Sequence, residues 1–145
     1  MMREILFRAK RIDNGEWTEG YVFELQPSQY VICDRKQYDR ASTLPVWEFL
    51  RYCTHEINLE TLCQYTGKID EDGKKIFEGD IIGFIDLYST ESGYSESSCL
   101  GEVVWSKEEC CFHVTNRLSA ESWEVLDECK VVGNVFDNKE LLDEL

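Results

Sequence analysis

The apolar residues of this chain come in short runs that alternate with polar ones or cluster as β-branched and aromatic residues, and Gly, Asn or Asp cuts each run. Helical spacing is scarce. A period of two interrupted this often specifies strands joined by tight turns, and so a mainly β fold. Residues 4–12 and 16–25 flank Asp13-Asn14-Gly15, where Asn-Gly supplies the positive φ angles of a tight hairpin turn, so the two segments should pair antiparallel. Tyr30-Val31-Ile32-Cys33 follows as a third strand after a turn at Pro27-Ser28. Residues 34–42 are polar and read as a loop. Between 44 and 53, Pro45 suits a first helical turn and Val46, Phe49 and Leu50 fall at i, i+3, i+4, which favours a short helix, although the aromatic density also suits a strand. Residues 55–57 and 62–65 read as extended, with a turn at Asn58-Leu59-Glu60-Thr61 between them.

In the second half, Asp70-Glu71-Asp72-Gly73 forms another tight turn with Gly73 at the position needing a positive φ. Strands are expected over 81–87, 101–106, 110–116, 123–126 and 130–136, with a turn at Lys107-Glu108-Glu109. Residues 89–98 hold five Ser, one Thr and one Gly, too polar to bury anything, and read as a mobile loop or a long hairpin connection. Leu141, Leu142 and Leu145 give residues 138–145 the apolar stripe of a short C-terminal helical turn. Five short strands closed by a terminal turn imply a small antiparallel barrel, since closure removes exposed sheet edges.

At 145 residues the chain is expected to be one domain, 1–145, with an N-terminal β region over 1–62 and the small barrel over 63–145. A chain of this size buries roughly 68–70% of its unfolded surface and needs neither disulfide nor metal to make a core. No apolar run approaches a membrane span and the start lacks a signal-peptide segment, which points to the cytoplasm. The net charge is −14, from 29 acidic and 15 basic residues. Residues 1–75 carry a net −2 and residues 76–145 a net −12. Binding to a phosphate backbone is driven by Lys and Arg, so direct nucleic-acid binding is not expected. An acidic face either keeps the protein soluble or docks on a basic partner.

Seven cysteines form no C-x-x-C pair and fit neither a secreted disulfide framework nor a zinc knuckle, so reduced thiols are expected. In Cys110-Cys111-Phe112-His113, neighbours on a strand point to opposite faces. Cys111 and His113 therefore share one face and Cys110 takes the other, and no metal site is assigned. Asp70, Asp72 and Gly73 resemble part of a calcium loop, but with Gly73 as sixth residue the first is Lys68 and the twelfth Gly79, so two carboxylate ligands are missing. With only His55 and His113, there are few ways to build a nucleophile–base pair. No phosphate-binding glycine loop or dinucleotide fingerprint occurs. The assignment is no catalytic residue, no cofactor and no metal.

Residues 64–82 read Gln64-Tyr65-Thr66-Gly67, two residues, Asp70-x-x-Gly73-x-x-Ile76-Phe77-Glu78-Gly79-Asp80-Ile81-Ile82. This closely resembles the signature of the YopX family of phage and prophage proteins. The opening Arg3-Glu4-Ile5-Leu6-Phe7-Arg8-Ala9, the segment Gly101-Glu102-Val103-Val104-Trp105, and Val131-Val132-Gly133-Asn134-Val135-Phe136-Asp137-Asn138 are also similar to that family. Departures are Cys110-Cys111, Lys68 in place of an apolar residue, and the polar stretch after Leu87. The resemblance implies a mostly β protein with a barrel of the Src-homology-3 type and no catalytic residues to carry over. The motif residues Gln64, Tyr65, Thr66, Gly67, Asp70, Gly73, Ile76, Phe77, Glu78, Gly79 and Asp80 read as scaffold: glycines in turns, Asp80 accepting backbone N–H groups, Tyr65 and Phe77 in the core. The leading expectation is a phage accessory protein in the host cytoplasm, a non-enzymatic module binding a host or phage protein and compatible with homo-oligomerisation. The alternatives are a metal-dependent enzyme using Asp70, Asp72 and Asp80 on a small molecule or nucleic acid, and an acidic mimic of nucleic acid.

Overall fold

The computed structural model describes residues 4–34, 37, 43–116, 122–125 and 127–143. The chain is mainly β and forms two compact units, Met1–Tyr65 and Thr66–Leu145.

In the first unit β1 (Phe7–Lys10), β2 (Trp17–Gln26), β3 (Gln29–Asp34), β4 (Thr54–Glu56) and the start of β5 (Cys63–Ile69) lie in the order β4-β3-β2-β1-β5. The expected β1–β2 hairpin is present, with Lys10 opposite Trp17 and Phe7 opposite Gly20. Its turn differs from the expectation. Gly15 has a positive φ of 71° and Asn14 does not, because the Asn14 side chain accepts the Glu16 N–H at 2.9 Å while Arg11 N–H bonds to Glu16 O. The connection is thus a longer loop closed by an Asn side chain, and Asn-Gly does not form the turn alone. Gly20 permits a close approach of β3, since a Cβ there would collide with the Cys33 carbonyl. Ala9, Ile32 and Ile57 form the buried centre, with Val22, Tyr30 and Leu62 packed against them. The ambiguous segment is a helix, α1 (Val46–Tyr52), held by edge-to-face packing of Phe49 on Phe23 at 5.9 Å. The polar segment 34–42 lies largely outside the described residues.

The second unit contains the end of β5, β6 (Lys75–Phe77), and a five-stranded antiparallel sheet of β7 (Asp80–Thr90), β8 (Gly93–Ser106), β9 (Cys111–Thr115), β10 (Ser122–Glu124) and β11 (Cys129–Asn134). The order is β10-β9-β8-β7-β11, followed by the short helix α2 (Lys139–Leu142). One face buries Ile76, Ile82, Phe84, Val103, Val114 and Cys129, closed by Trp123, whose ring meets Phe84 edge-on at 5.1 Å. Gly101 belongs to this packing, because a Cβ there would run into the Val114 side chain. Residues 89–98 take the hairpin alternative and not the mobile loop: β7 and β8 stay paired to Thr90–Gly93, and the exposed polar side chains simply line a hairpin with no core of its own. The barrel expectation changes. Among the described residues no pairing closes the sheet into a barrel, since the three-residue β10 pairs only with β9.

Cys33, Cys53, Cys63 and Cys129 are buried, Cys99 and Cys111 partly so, and Cys110 is exposed. Burial pushes the thiols of Cys33 and Cys129 above the ordinary cysteine range. A thiol-reactive dye added to native protein is therefore expected to label Cys110 first and the four buried cysteines only on unfolding; equal labelling rates at all seven would contradict this packing.

Candidate functional site

The motif residues 64–82 are used mostly by the backbone. Gln64 lies on β5 opposite Phe7, and Tyr65 is buried, its N–H donating to Leu6 O at 2.8 Å and its phenol pushed up by burial. In the second unit Thr66 Oγ1 donates to Ile76 O at 2.8 Å, and Gly67, Gly73 and Gly79 have φ angles of 89°, 82° and 84°. Ile76 and Phe77 are fully buried. Lys68, where the family pattern is apolar, reaches across to donate to Val125 O at 2.7 Å. Asp70 is 5% exposed, and its carboxylate accepts three backbone N–H groups: Asp72 at 2.9 Å, Lys74 at 2.8 Å and Val131 at 3.0 Å. These bonds, Val131's foremost, hold its carboxyl below the usual carboxylate range despite burial. Asp80, fully buried, accepts the Phe77 N–H at 2.8 Å. Gly79 donates to Val103 O and accepts from Val135 N, which leaves no room to adjust its backbone. Glu78 differs from these: it is half-buried, and desolvation pushes its carboxyl above the ordinary value.

The carboxylates of Asp70 and Asp80 are thus committed to backbone donors. Among the described residues, the metal-type donors that gather are Glu109, Cys111 and His113, and Asp70, Asp72 and Asp80 do not.

A groove of about 500 Å³ opens on the face of the five-stranded sheet turned away from the core. Gly83 forms its floor at the centre of β7, paired with Leu100 of β8 and Lys130 of β11. Leu100, Val132 and Ile85 make apolar walls, and Glu71 and Glu128 stand on the rim. Lys130, the cation of this rim, is engaged by Glu71 at 3.2 Å. A Cβ at Gly83 would meet Leu100 and Val132 at 3.6 and 3.8 Å, ordinary contact distances, so Gly83 keeps the groove open without being needed for the backbone. Sequence reasoning missed this groove because its residues come from three strands and two turns, spread over 61 positions from Glu71 to Val132. The available signal was a Gly inside an otherwise apolar strand, which marks a close approach by another group.

A family model described as YopX protein matches residues 6–143. The chain belongs to the YopX family. The match covers the motif, the groove and both compact units apart from their termini. No curated protein shows a significant sequence match. Among solved structures the chain is similar to the crystal structure of protein EF1440 from Enterococcus faecalis, at 20% identity and a TM-score of 0.47 over 97% of this chain and 99% of that one.

Two expected outcomes follow from the motif geometry. Gly79→Val forces a β-branched residue to a φ of 84° and should destabilise the protein by about 1–3 kcal/mol in denaturant unfolding; a loss below about 0.5 kcal/mol would contradict it. Asp70→Ala strands three N–H groups and should cost on the order of 3 kcal/mol at pH 7. Since the folded carboxyl is depressed, Asp70's contribution is present above about pH 4 and fades as pH falls through the folded value. The stability gap between wild type and Asp70→Ala should therefore narrow in acid, and a gap that widens there would refute the assignment.

Proposed function

We propose that this YopX family protein is a phage- or prophage-encoded accessory protein of the host cytoplasm that works without catalysis, docking a basic segment with apolar side chains from a host or phage protein. The observation that carries the proposal is the groove: an apolar floor and walls under a rim where Glu71 and Lys130 offset each other and Glu128 supplies the net negative charge. The setting reinforces it. Residues 66–145 hold nineteen acidic and seven basic side chains, a net −12, against −2 for residues 1–65. Among the described residues of this set only Asp70 and Asp80 are buried, so most of the described acidic side chains stand in solvent, where they attract a cationic partner and repel nucleic acid.

The small-barrel reading of residues 63–145 belongs to the same proposal. It is supported by the register shift between Val131 and Gly133, since a bulge bends a strand and bending is what carries a sheet toward closure.

The test is fluorescence anisotropy with labelled peptides of alternating Lys/Arg and Leu, alongside an acidic peptide of the same length and duplex DNA. The basic peptide is expected to bind, more weakly as salt rises from about 50 to 500 mM, and DNA not to bind at 150 mM. Gly83→Leu fills the groove and Glu128→Lys reverses its rim; each should weaken the basic peptide at least tenfold with the fold intact by circular dichroism. Salt-independent binding, or binding indifferent to Gly83→Leu, would overturn the proposal.

A further inference from the structure

A second feature of the same sheet carries a chemistry of its own. β8 and β9 are joined by a turn over residues 107–110, and Cys110 closes it with a φ of 55°. That conformation takes Cys110 out of the strand, where its Sγ donates to the Lys107 carbonyl. The turn brings Glu109 back over β9, so that its carboxylate lies 3.0 Å from Nε2 of His113. Cys111 and His113, two apart on the strand, point to the same side. The carboxylate oxygen, thiol sulfur and imidazole nitrogen of Glu109, Cys111 and His113 all lie within 4.8 Å of one another. Glu124 of β10 is paired directly opposite His113 and adds a further negative charge on that face.

We infer that Glu109, Cys111 and His113 form a binding site for a zinc-class divalent transition metal. The donor set decides the class. A thiolate and an imidazole select zinc, cobalt or similar ions over magnesium and calcium, which take oxygen ligands only. Tetrahedral donors around zinc stand roughly 3.3–3.8 Å apart. Glu109 and His113, at 3.0 Å, are already that close, so the spacing that adjusts is the one to the Cys111 sulfur, no more than 4.8 Å from either; the Glu109 side chain, 63% exposed, is free to follow it, while His113 is 12% exposed and held in the sheet. Cys111 binds as thiolate and releases its proton to water. Three protein ligands leave a fourth position for water or for a donor from an incoming molecule, the pattern of zinc sites that act on a ligand.

The experiment is titration of the purified, reduced full chain with Co²⁺, followed by displacement with Zn²⁺. Expected are a thiolate-to-cobalt charge-transfer band in the near ultraviolet, saturation at one ion per chain and loss of the band on adding Zn²⁺. Cys111→Ser should abolish the band, and His113→Ala and Glu109→Gln should each weaken binding at least tenfold. Cys110→Ser should leave the titration unchanged, because its sulfur is turned away from the group. All four positions are at least partly open to solvent, so circular dichroism should match wild type. A spectrum without the thiolate band, a band lost in Cys110→Ser but retained in Cys111→Ser, or an affinity indifferent to His113→Ala would overturn the inference. None of these results depends on the peptide groove.

Discussion

One carboxylate fixes the geometry of the second unit. Asp70 ends β5, and its two oxygens take the N–H groups of Asp72 and Lys74 in the following turn and that of Val131 in β11, 61 residues away. Burying an ionised carboxylate is unfavourable unless its lone pairs are filled, and three charge-assisted bonds at 2.8–3.0 Å fill them without a buried cation. The adjacent Glu71 N–H bonds to Cys129 O, so turn and strand are tied at two points. Asn could not replace Asp70, because its amide nitrogen would meet a donor where Asp70 offers a second oxygen. A long-range tie of this kind is formed late in folding, after the loop between its ends has closed, and it holds only if β11 is in register with β7.

The same device recurs along the motif on a smaller scale. Asp80 takes the Phe77 N–H, Gly79 bridges Val103 and Val135, and the Asn138 side chain accepts the Asn134 N–H while Asn134 accepts from Phe136 and Asp137. Each bond satisfies backbone where a strand ends and the sheet ladder cannot. Gly133 is required here in a second way, since a Cβ would press into the Asn138 side chain. The motif is therefore a set of strand-end clasps: Asp70 and Asp80 within it, and Asn134 and Asn138 of the C-terminal segment, are spent on the fold. Glu78 is half-buried, and desolvation disfavours its charged form and pushes its carboxyl above the ordinary value.

Local chemistry made much of this legible in the sequence. Gly15 and Gly73 have the positive φ that their turns demanded, Pro27-Ser28 turns between β2 and β3 with Ser28 at a φ of 68°, and α1 forms over the segment that Pro45, Val46, Phe49 and Leu50 marked, held by Phe49 on Phe23 while Val46 stays exposed. Pairing of Cys111 with His113 on one face followed from the period of two, whereas Glu109 was hidden because only the backbone of Cys110 folds it back. For residues 89–98 the mobile-loop alternative failed, and the hairpin held, for a physical reason. Polarity measures burial, and a hairpin exposed on both faces needs none, so cross-strand hydrogen bonds between Ile85–Ser98 and Thr90–Gly93 extend the ladder through a sequence that reads as loop. Closure of a barrel, like the groove, depends on how distant strands curve, and no local pattern encodes that.

The alternation that buries one face of the sheet also decides where the unused side chains go. Along β8, Val103 faces the core, while Leu100, Glu102, Val104 and Ser106 face the other way, and the register places Val104 opposite His113 and Ser106 opposite Cys111. Leu100 walls the groove. The groove and the Glu109–Cys111–His113 group thus occupy the same outer face of the sheet, on opposite sides of β8: Leu100, beside Gly83 of β7, and Val104, beside His113 of β9, are four residues apart, about 13 Å along β8 at the rise of a β-strand. An extended segment of four or five residues spans that distance. A bound segment lying along β8 with its apolar side chains over Gly83 would carry its next residues past the open coordination position, where a His, Cys or carboxylate could become the fourth ligand. The two proposed sites are independent in their chemistry, yet the pleat sets them in line, and a partner that used both would gain the second contact at the high effective concentration that a short tether provides.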